Sequence, residues 1–244
     1  MPPIPYVLIK EDKVSSGTGF ENTYYSNTSF PRTNIEVLTV NYYDDYNFDL
    51  AGSVLPGAMG AVYNHTVTEK VKGLPTGNRV RVLESNPAKW ITTVNYYNNK
   101  GQVIYVYSKN EFLQTTDIVK SNPDFVGKVL ETTTFHTKTD DHLLGTQIIT
   151  DTFTYDHVGR LVSQTQNING ARASEQLLKN TYDELGQLTA KAVGGKTYAA
   201  GPLQQVDYTY NVRGWLQNIN QDTMSRPKIG LQLIIKIYAT FLCT

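Results

Sequence analysis

A seven-residue pattern, Tyr-Asp-x-x-Gly-x-Leu, returns along this chain at near-constant spacing, and few folds can satisfy it. It reads Tyr155-Asp156-His157-Val158-Gly159-Arg160-Leu161 and again Tyr182-Asp183-Glu184-Leu185-Gly186-Gln187-Leu188. With Asn in the second slot it reads Tyr97-Asn98-Asn99-Lys100-Gly101-Gln102-Val103 and Tyr210-Asn211-Val212-Arg213-Gly214-Trp215-Leu216. A degenerate copy, Pro123-Asp124-Phe125-Val126-Gly127-Lys128-Val129, carries Pro in the aromatic slot. The Asp/Asn positions are separated by 26, 32, 27 and 28 residues. A period of that size marks a repeat architecture, in which each unit buries surface against its neighbours.

The chemistry of one copy specifies a β-hairpin tip. Asp or Asn suits the first position of a type I turn, because its side-chain oxygen accepts backbone N–H bonds two residues on. The Gly then sits at the fourth position in left-handed geometry, as the first residue of a G1 bulge. This register places Tyr155 opposite Leu161 and Phe153 opposite Ser163. The Tyr155–Leu161 pair is a cross-strand aromatic–aliphatic contact worth about 0.2–1 kcal/mol. The fold class implied is all-β: tandem β-hairpin repeats forming a curved antiparallel sheet.

These residues resemble the YD-repeat (Rhs) family, named for this Tyr-Asp hairpin. The likeness covers residues 97–220, is strongest over 151–170 and 180–194, and near 205–215 is similar to the bacterial, Bacteroidetes-type branch. The resemblance implies a long antiparallel sheet that spirals into a hollow shell. In many members the shell encloses a toxic C-terminal domain; others are large surface or adhesion proteins. Implied partners are further repeats of the same polypeptide, a C-terminal toxin, or a surface glycan or protein. The implied location is extracellular or in the cell envelope.

Composition supports strands and narrows partners. The 17 Tyr, with many Thr and Val, favour pleated, half-buried surfaces. Net charge is zero and charged residues are 18%, so neither nucleic acid nor an anionic membrane is an expected partner. A single Cys, Cys243, rules out an intrachain disulfide and a multi-cysteine metal site. The first residues lack the basic and apolar regions of a signal peptide, and no apolar run reaches membrane-spanning length.

Taken in order, residues 1–36 read as an irregular or strand segment, with a short strand expected over 6–9. Residues 37–221 read as the repeats, beginning with a strand over 37–43. Asp44-Asp45-Tyr46-Asn47 reads as an eroded first copy, with Asn47 in the glycine slot and a cryptic unit before Asn98, which lies 54 residues on. Two strands, 67–71 and 78–84, are expected around a 73–77 turn, with Arg79 and Arg81 forming a polar face against Val80 and Val82. Residues 90–97, 102–107 and 128–139 read as strands, and 111–119 as a connector or irregular strand. Residues 171–179 fit either a short helix or an outgoing strand. Residues 222–244 are an atypical apolar tail. It reads either as a buried strand or, preferred, as a non-native end left by truncation or a change of frame.

No catalytic, cofactor or metal constellation emerges. The chain has no Gly-x-Ser-x-Gly elbow, His-Glu-x-x-His or Cys/His pairing, and no paired-aspartate self-cleavage motif. His136, Asp140, Asp141 and His142 form the only polar cluster with metal-like spacing, but two histidines six apart on a straight strand lie about 20 Å from each other. A turn with solvated carboxylates is expected there. Asp44, Asp45 and Asp49 likewise fit no calcium loop. His157 falls at a variable turn position and is expected to be exposed. Tyr155, Tyr182 and Tyr210 are expected to be scaffold residues. Function is therefore read as that of a non-catalytic structural segment of a shell or cell-surface protein. The alternative is a carbohydrate- or protein-binding adhesion module using tyrosines such as Tyr105 and Tyr107.

Overall fold

The computed structural model describes residues 11–14, 18–30, 32–139, 145–195 and 201–220. The expected strand at 6–9, the Asp140, Asp141 and His142 part of the polar cluster, Cys243 and the 222–244 tail lie outside the described residues. The fold is all-β: twelve antiparallel strands follow in chain order through one open sheet. They are β1 (Thr39–Tyr43), β2 (Pro75–Val82), β3 (Lys89–Tyr97), β4 (Val103–Asn110), β5 (Thr115–Pro123), β6 (Val129–Lys138), β7 (Thr146–Tyr155), β8 (Leu161–Ile168), β9 (Glu175–Tyr182), β10 (Leu188–Val193), β11 (Gln204–Tyr210) and β12 (Leu216–Ile219). The chain forms two compact units, residues 1–150 and 151–244.

In the first unit a true core forms, and the reason is an insertion. β1 pairs with β2 in the register of a repeat hairpin, Tyr43 opposite Pro75, yet 31 residues separate them. One closing bond is that of the other turns, and the glycine N–H reaches the Asp side chain rather than its carbonyl. The Asp44 N–H donates to the Leu74 carbonyl at 3.2 Å, and the Gly73 N–H donates to Asp44 Oδ1 at 2.5 Å. Gly73 has φ +80°. Asp44 thus fills the Asp slot and Gly73 the glycine slot, with residues 45–72 spliced between them. This corrects two sequence readings. Asn47 is not the turn glycine's stand-in, and no cryptic repeat lies between: 44–98 is one repeat with an enlarged turn. Residues 67–71 are not a strand either, contributing only a bridge from Val67 to Asn98.

The insertion folds onto one face of β1–β4. Tyr42, Phe48, Val71, Val94, Tyr96 and Tyr107 are buried there. Phe48 stacks on Tyr42 at 4.0 Å, Tyr46 stacks on Tyr96 at 5.2 Å, and Tyr105 meets Tyr96 edge-on at 5.5 Å. Such ring pairs add about 0.5–1.5 kcal/mol beyond area burial. Tyrosine hydroxyls fasten the insertion's backbone: Tyr96 donates to the Val54 carbonyl at 2.6 Å, Tyr107 to Ala51 at 3.0 Å. Arg79 and Arg81 alternate with Val80 and Val82 in β2 as expected, and the side carrying Arg79 is the covered one. Arg79 is buried and Val80 exposed. The Arg79 guanidinium lies 4.9 Å from the Trp90 ring centroid and donates to the Asn22 carbonyl at 3.0 Å. A cation with a ring and a carbonyl to meet tolerates burial better than simple polarity suggests.

The second unit has no such cover. None of its described residues is buried; most strand positions from β8 to β11 are half-buried and the rest exposed. Residues 175–182 extend as β9, so the strand reading of that stretch prevails over the helical one. The stretch 111–119 divides into a turn and the start of β5, whose Thr115 to Pro123 pair throughout with β6.

Candidate functional site

The repeat tips are the constellation that recurs among the described residues, and all five expected turns form. In each, the Asp/Asn N–H donates to the carbonyl of the residue after the glycine, and the glycine N–H donates back. The distances are 2.9 and 3.0 Å at Asn98–Gly101, 2.7 and 3.2 Å at Asp124–Gly127, and 3.0 Å for both at Asp156–Gly159 and at Asp183–Gly186. At Asn211–Gly214 both are 2.9 Å. Gly101, Gly127, Gly159, Gly186 and Gly214 all have φ between +74° and +100°, where a Cβ is strained. The side-chain oxygen does what turn chemistry asks: Asp124 Oδ1 alone accepts from the N–H groups of Val126, Gly127 and Lys128.

The closing pair also forms: Tyr97 opposes Val103, Pro123 opposes Val129, Tyr182 opposes Leu188 and Tyr210 opposes Leu216. The next pair departs from the expected register. Thr181 opposes Ala190, so Thr189 is an extra residue on the return strand. Ile104, Leu130 and Gln217 are extra at the same place in their hairpins, and Thr76 in the β1–β2 pair. Accordingly Thr154, not Phe153, faces Ser163, with their hydroxyl oxygens 2.7 Å apart. A second bulge per hairpin adds local twist and turns the strand beyond it.

Three of the five tips are also tied to the hairpin before them. Tyr97 donates its hydroxyl to the Pro75 carbonyl at 2.6 Å, Tyr182 to Leu161 at 3.0 Å, and Tyr210 to Leu188 at 3.0 Å. In all three the acceptor is the residue in the leucine slot of the preceding hairpin. The side chain just before that slot reaches over the next glycine. A Cβ on Gly127 would lie 3.1 Å from Gln102 Nε2, on Gly186 2.8 Å from Arg160 Nη1, and on Gly214 3.0 Å from Gln187 Nε2. Arg160 does more: its Nε donates to Asp156 Oδ2 at 2.6 Å while its guanidinium covers the Tyr182 ring at 4.4 Å. Tyr182 and Tyr210 are therefore half-buried links between neighbouring hairpins rather than core side chains. The clue was in the sequence. The slot holds Tyr in four copies and Phe in none, which signals a use for the hydroxyl.

Tyr182→Phe keeps the ring and removes the link. The expected loss is about 0.5–1.5 kcal/mol by urea unfolding, because the Leu161 carbonyl loses one of its two donors, Asn180 Nδ2 remaining at 3.0 Å. An unchanged midpoint would show that the hydroxyl is idle.

The turn carboxylates predict acid sensitivity. Partial loss of hydration pushes the Asp156 carboxyl up, but the Arg160 N–H, the Arg160 guanidinium and the Val158 N–H outweigh it, leaving it below its ordinary 3.8. Asp124 is lowered likewise, the Lys128, Val126 and Gly127 N–H groups overcoming desolvation. Glu11 is held at about 2 by the Ser26 hydroxyl first and then by the Thr28 N–H. These groups bind protons less readily folded than unfolded. Their stabilisation is complete above about pH 4.5 and is lost as pH falls toward 2. The melting temperature is expected to fall through that window, and less steeply in Asp124→Asn/Asp156→Asn, since Asn serves the same turn at Asn98 and Asn211. Equal slopes for variant and parent would refute the assignment.

The remaining candidates resolve into structural roles. Among the described residues no three His, Cys, Asp or Glu side chains could hold a metal ion. Asp44 caps Gly73, Asp45 pairs with Lys13, and Asp49 accepts from the Ala51 N–H at 2.9 Å. His136 Nδ1 lies 2.5 Å from Asp117 Oδ1 across β5 and β6, and His157 is exposed. Tyr105 and Tyr107, the sheet tyrosines suggested for glycan stacking, are engaged with Tyr96 and the Ala51 carbonyl. A cavity of about 310 Å³ lies between residues 11–27 and β1, lined by Glu11, Phe20, Tyr25 and Val40 among others. The Glu11 carboxylate in it is already taken by Ser26, Thr28 and Ser29. No protein-family model matches this chain, and no curated protein matches it.

Proposed function

We propose that this chain is a non-catalytic structural segment of a YD-repeat (Rhs) shell or cell-surface protein, working outside the cell or in its envelope. The observation that carries the reading is the repeated link, in which the tyrosine of one hairpin bonds the leucine-slot carbonyl of the hairpin before it. These tyrosine hydroxyls hold neighbouring hairpins together, as a wall requires. A hairpin alone is marginal in water, so such a wall draws stability from adjacent units. In this reading the wall encloses or presents a C-terminal effector.

Location and chemistry test it together. Protease added outside intact producing cells is expected to degrade the protein, and a panel of hydrolase substrates is expected to show no turnover. Protection until lysis would overturn the reading. So would turnover abolished by one point substitution that leaves folding intact.

A further inference from the structure

We infer that the cavity beside the outer edge of β1 is a binding site for an extended peptide that adds to β1 as a strand and presents a lysine or arginine to Glu11. The inference goes beyond the scaffold reading and does not depend on it. The cavity holds about 310 Å³ between residues 11–27 and β1. Its walls include the half-buried rings of Phe20 and Tyr25 and the half-buried Ile35 and Val37. Among the described residues that line it, Glu11 alone is charged.

That charge has no counter-ion among the described residues, whereas Glu36, Asp45, Asp49 and Asp156 each pair with a lysine or arginine. Glu11 accepts instead from the Ser26 hydroxyl at 2.6 Å and from the Thr28 and Ser29 N–H groups at 3.0 and 2.8 Å. These neutral donors fix the carboxylate in place and keep it ionised, so a full negative charge stands beside aromatic walls. A long cationic side chain answers both, with its alkyl stem on the rings and its head on the carboxylate.

The backbone of β1 supplies the rest. The Arg81 N–H donates to the Leu38 carbonyl at 2.8 Å, Val40 opposes Arg79 and Tyr42 opposes Gly77. Hydrogen-bonded pairs alternate along an antiparallel ladder, so Leu38, Val40 and Tyr42 bond β2 while Thr39 and Asn41 turn their N–H and C=O groups outward. Both of these exposed residues line the cavity. The Tyr25 hydroxyl donates to the Asn41 carbonyl at 3.1 Å, as that orientation requires. The Thr39 N–H and C=O and the Asn41 N–H are the groups that an added strand would bond. Main-chain bonds of this kind give affinity, and a pocket for one side chain gives selectivity.

The probe is the acetylated, amidated heptapeptide Thr-Val-Thr-Arg-Thr-Val-Thr, titrated calorimetrically into the full chain. One saturable site is expected, weakening as salt is raised. Citrulline in place of the arginine keeps the shape and removes the charge, and is expected to bind at least roughly tenfold more weakly. Glu11→Gln is expected to weaken the arginine peptide to the same degree and to leave the citrulline peptide unchanged. Thr39→Pro removes an outward N–H from an edge strand without touching the β2 ladder, and is expected to weaken binding roughly three- to tenfold. No heat at millimolar peptide, equal affinity for the arginine and citrulline peptides, or unchanged affinity in Glu11→Gln or Thr39→Pro would overturn the inference. So would blocked arginine amide binding as tightly as the heptapeptide, which would show a site for a small cation rather than a strand. The citrulline comparison uses the unaltered protein, so it decides the matter even where Glu11→Gln disturbs residues 26–29.

Discussion

Tyr96→Ala is expected to destabilise the first unit by about 3–5 kcal/mol, the range for removing a large buried ring. Tyr96 is fully buried, between Tyr46 on one side and the edge of Tyr105 on the other. Its hydroxyl lies 2.8 Å from Ser53 Oγ and donates to the Val54 carbonyl at 2.6 Å, so the side chain is also the pin that holds the inserted residues onto the sheet. Burial pushes the phenol up to about 12, with the Ser53 contact pulling slightly the other way, so it remains a neutral donor at physiological pH. Tyr96→Phe separates the two contributions and is expected to cost only about 0.5–1.5 kcal/mol. Urea unfolding followed by tyrosine fluorescence measures both. A loss under 1 kcal/mol for the alanine variant would mean that the insertion is not packed as described.

Gly77→Ala is expected to cost about 1–3 kcal/mol, an overpacking penalty from a single methyl group. The glycine lies within β2 and its φ is not in the left-handed region, so conformational freedom does not explain it. Proximity does. A Cβ there would lie 2.6 Å from Phe48 Cζ, 2.7 Å from the Thr93 carbonyl oxygen and 2.8 Å from Phe48 Cε2. The ring is held by its stack on Tyr42 and the carbonyl belongs to β3, so neither can yield cheaply. Thermal unfolding reads the effect directly. A melting temperature equal to that of the parent would show that Phe48 is free to move away.

How much of this was legible beforehand depends on whether a local rule governs the position. The turns were legible in full, because Asp or Asn followed three residues later by Gly has one good backbone solution, and all five copies adopt it. The Tyr–Leu closing pair followed from the same geometry. The register beyond it did not, since a bulge at Thr189 or Ile104 has no composition of its own. The tyrosine hydroxyl links join residues 21 or 22 apart in different hairpins and showed only as the absence of Phe from the slot. The reading of 44–98 failed for a related reason. Counting to the nearest residue that tolerates a left-handed backbone stopped at Asn47, while the chain uses Gly73. Arg79 was misassigned because its burial depends on Trp90 and Asn22, neither of which its neighbours reveal.

The splice at Asp44 and Gly73 has a consequence for how such chains diversify. Because the Asp N–H bonds the carbonyl after the glycine whether two residues or twenty-eight intervene, the tip is an entry port that leaves strand alignment untouched. The entropic penalty of a longer closure grows only logarithmically, by about 0.6 kcal/mol per doubling. New segments can therefore be grafted at any tip, where they acquire structure from the sheet face beneath them. A lineage built this way can renovate its exterior hairpin by hairpin while the frame underneath stays the same.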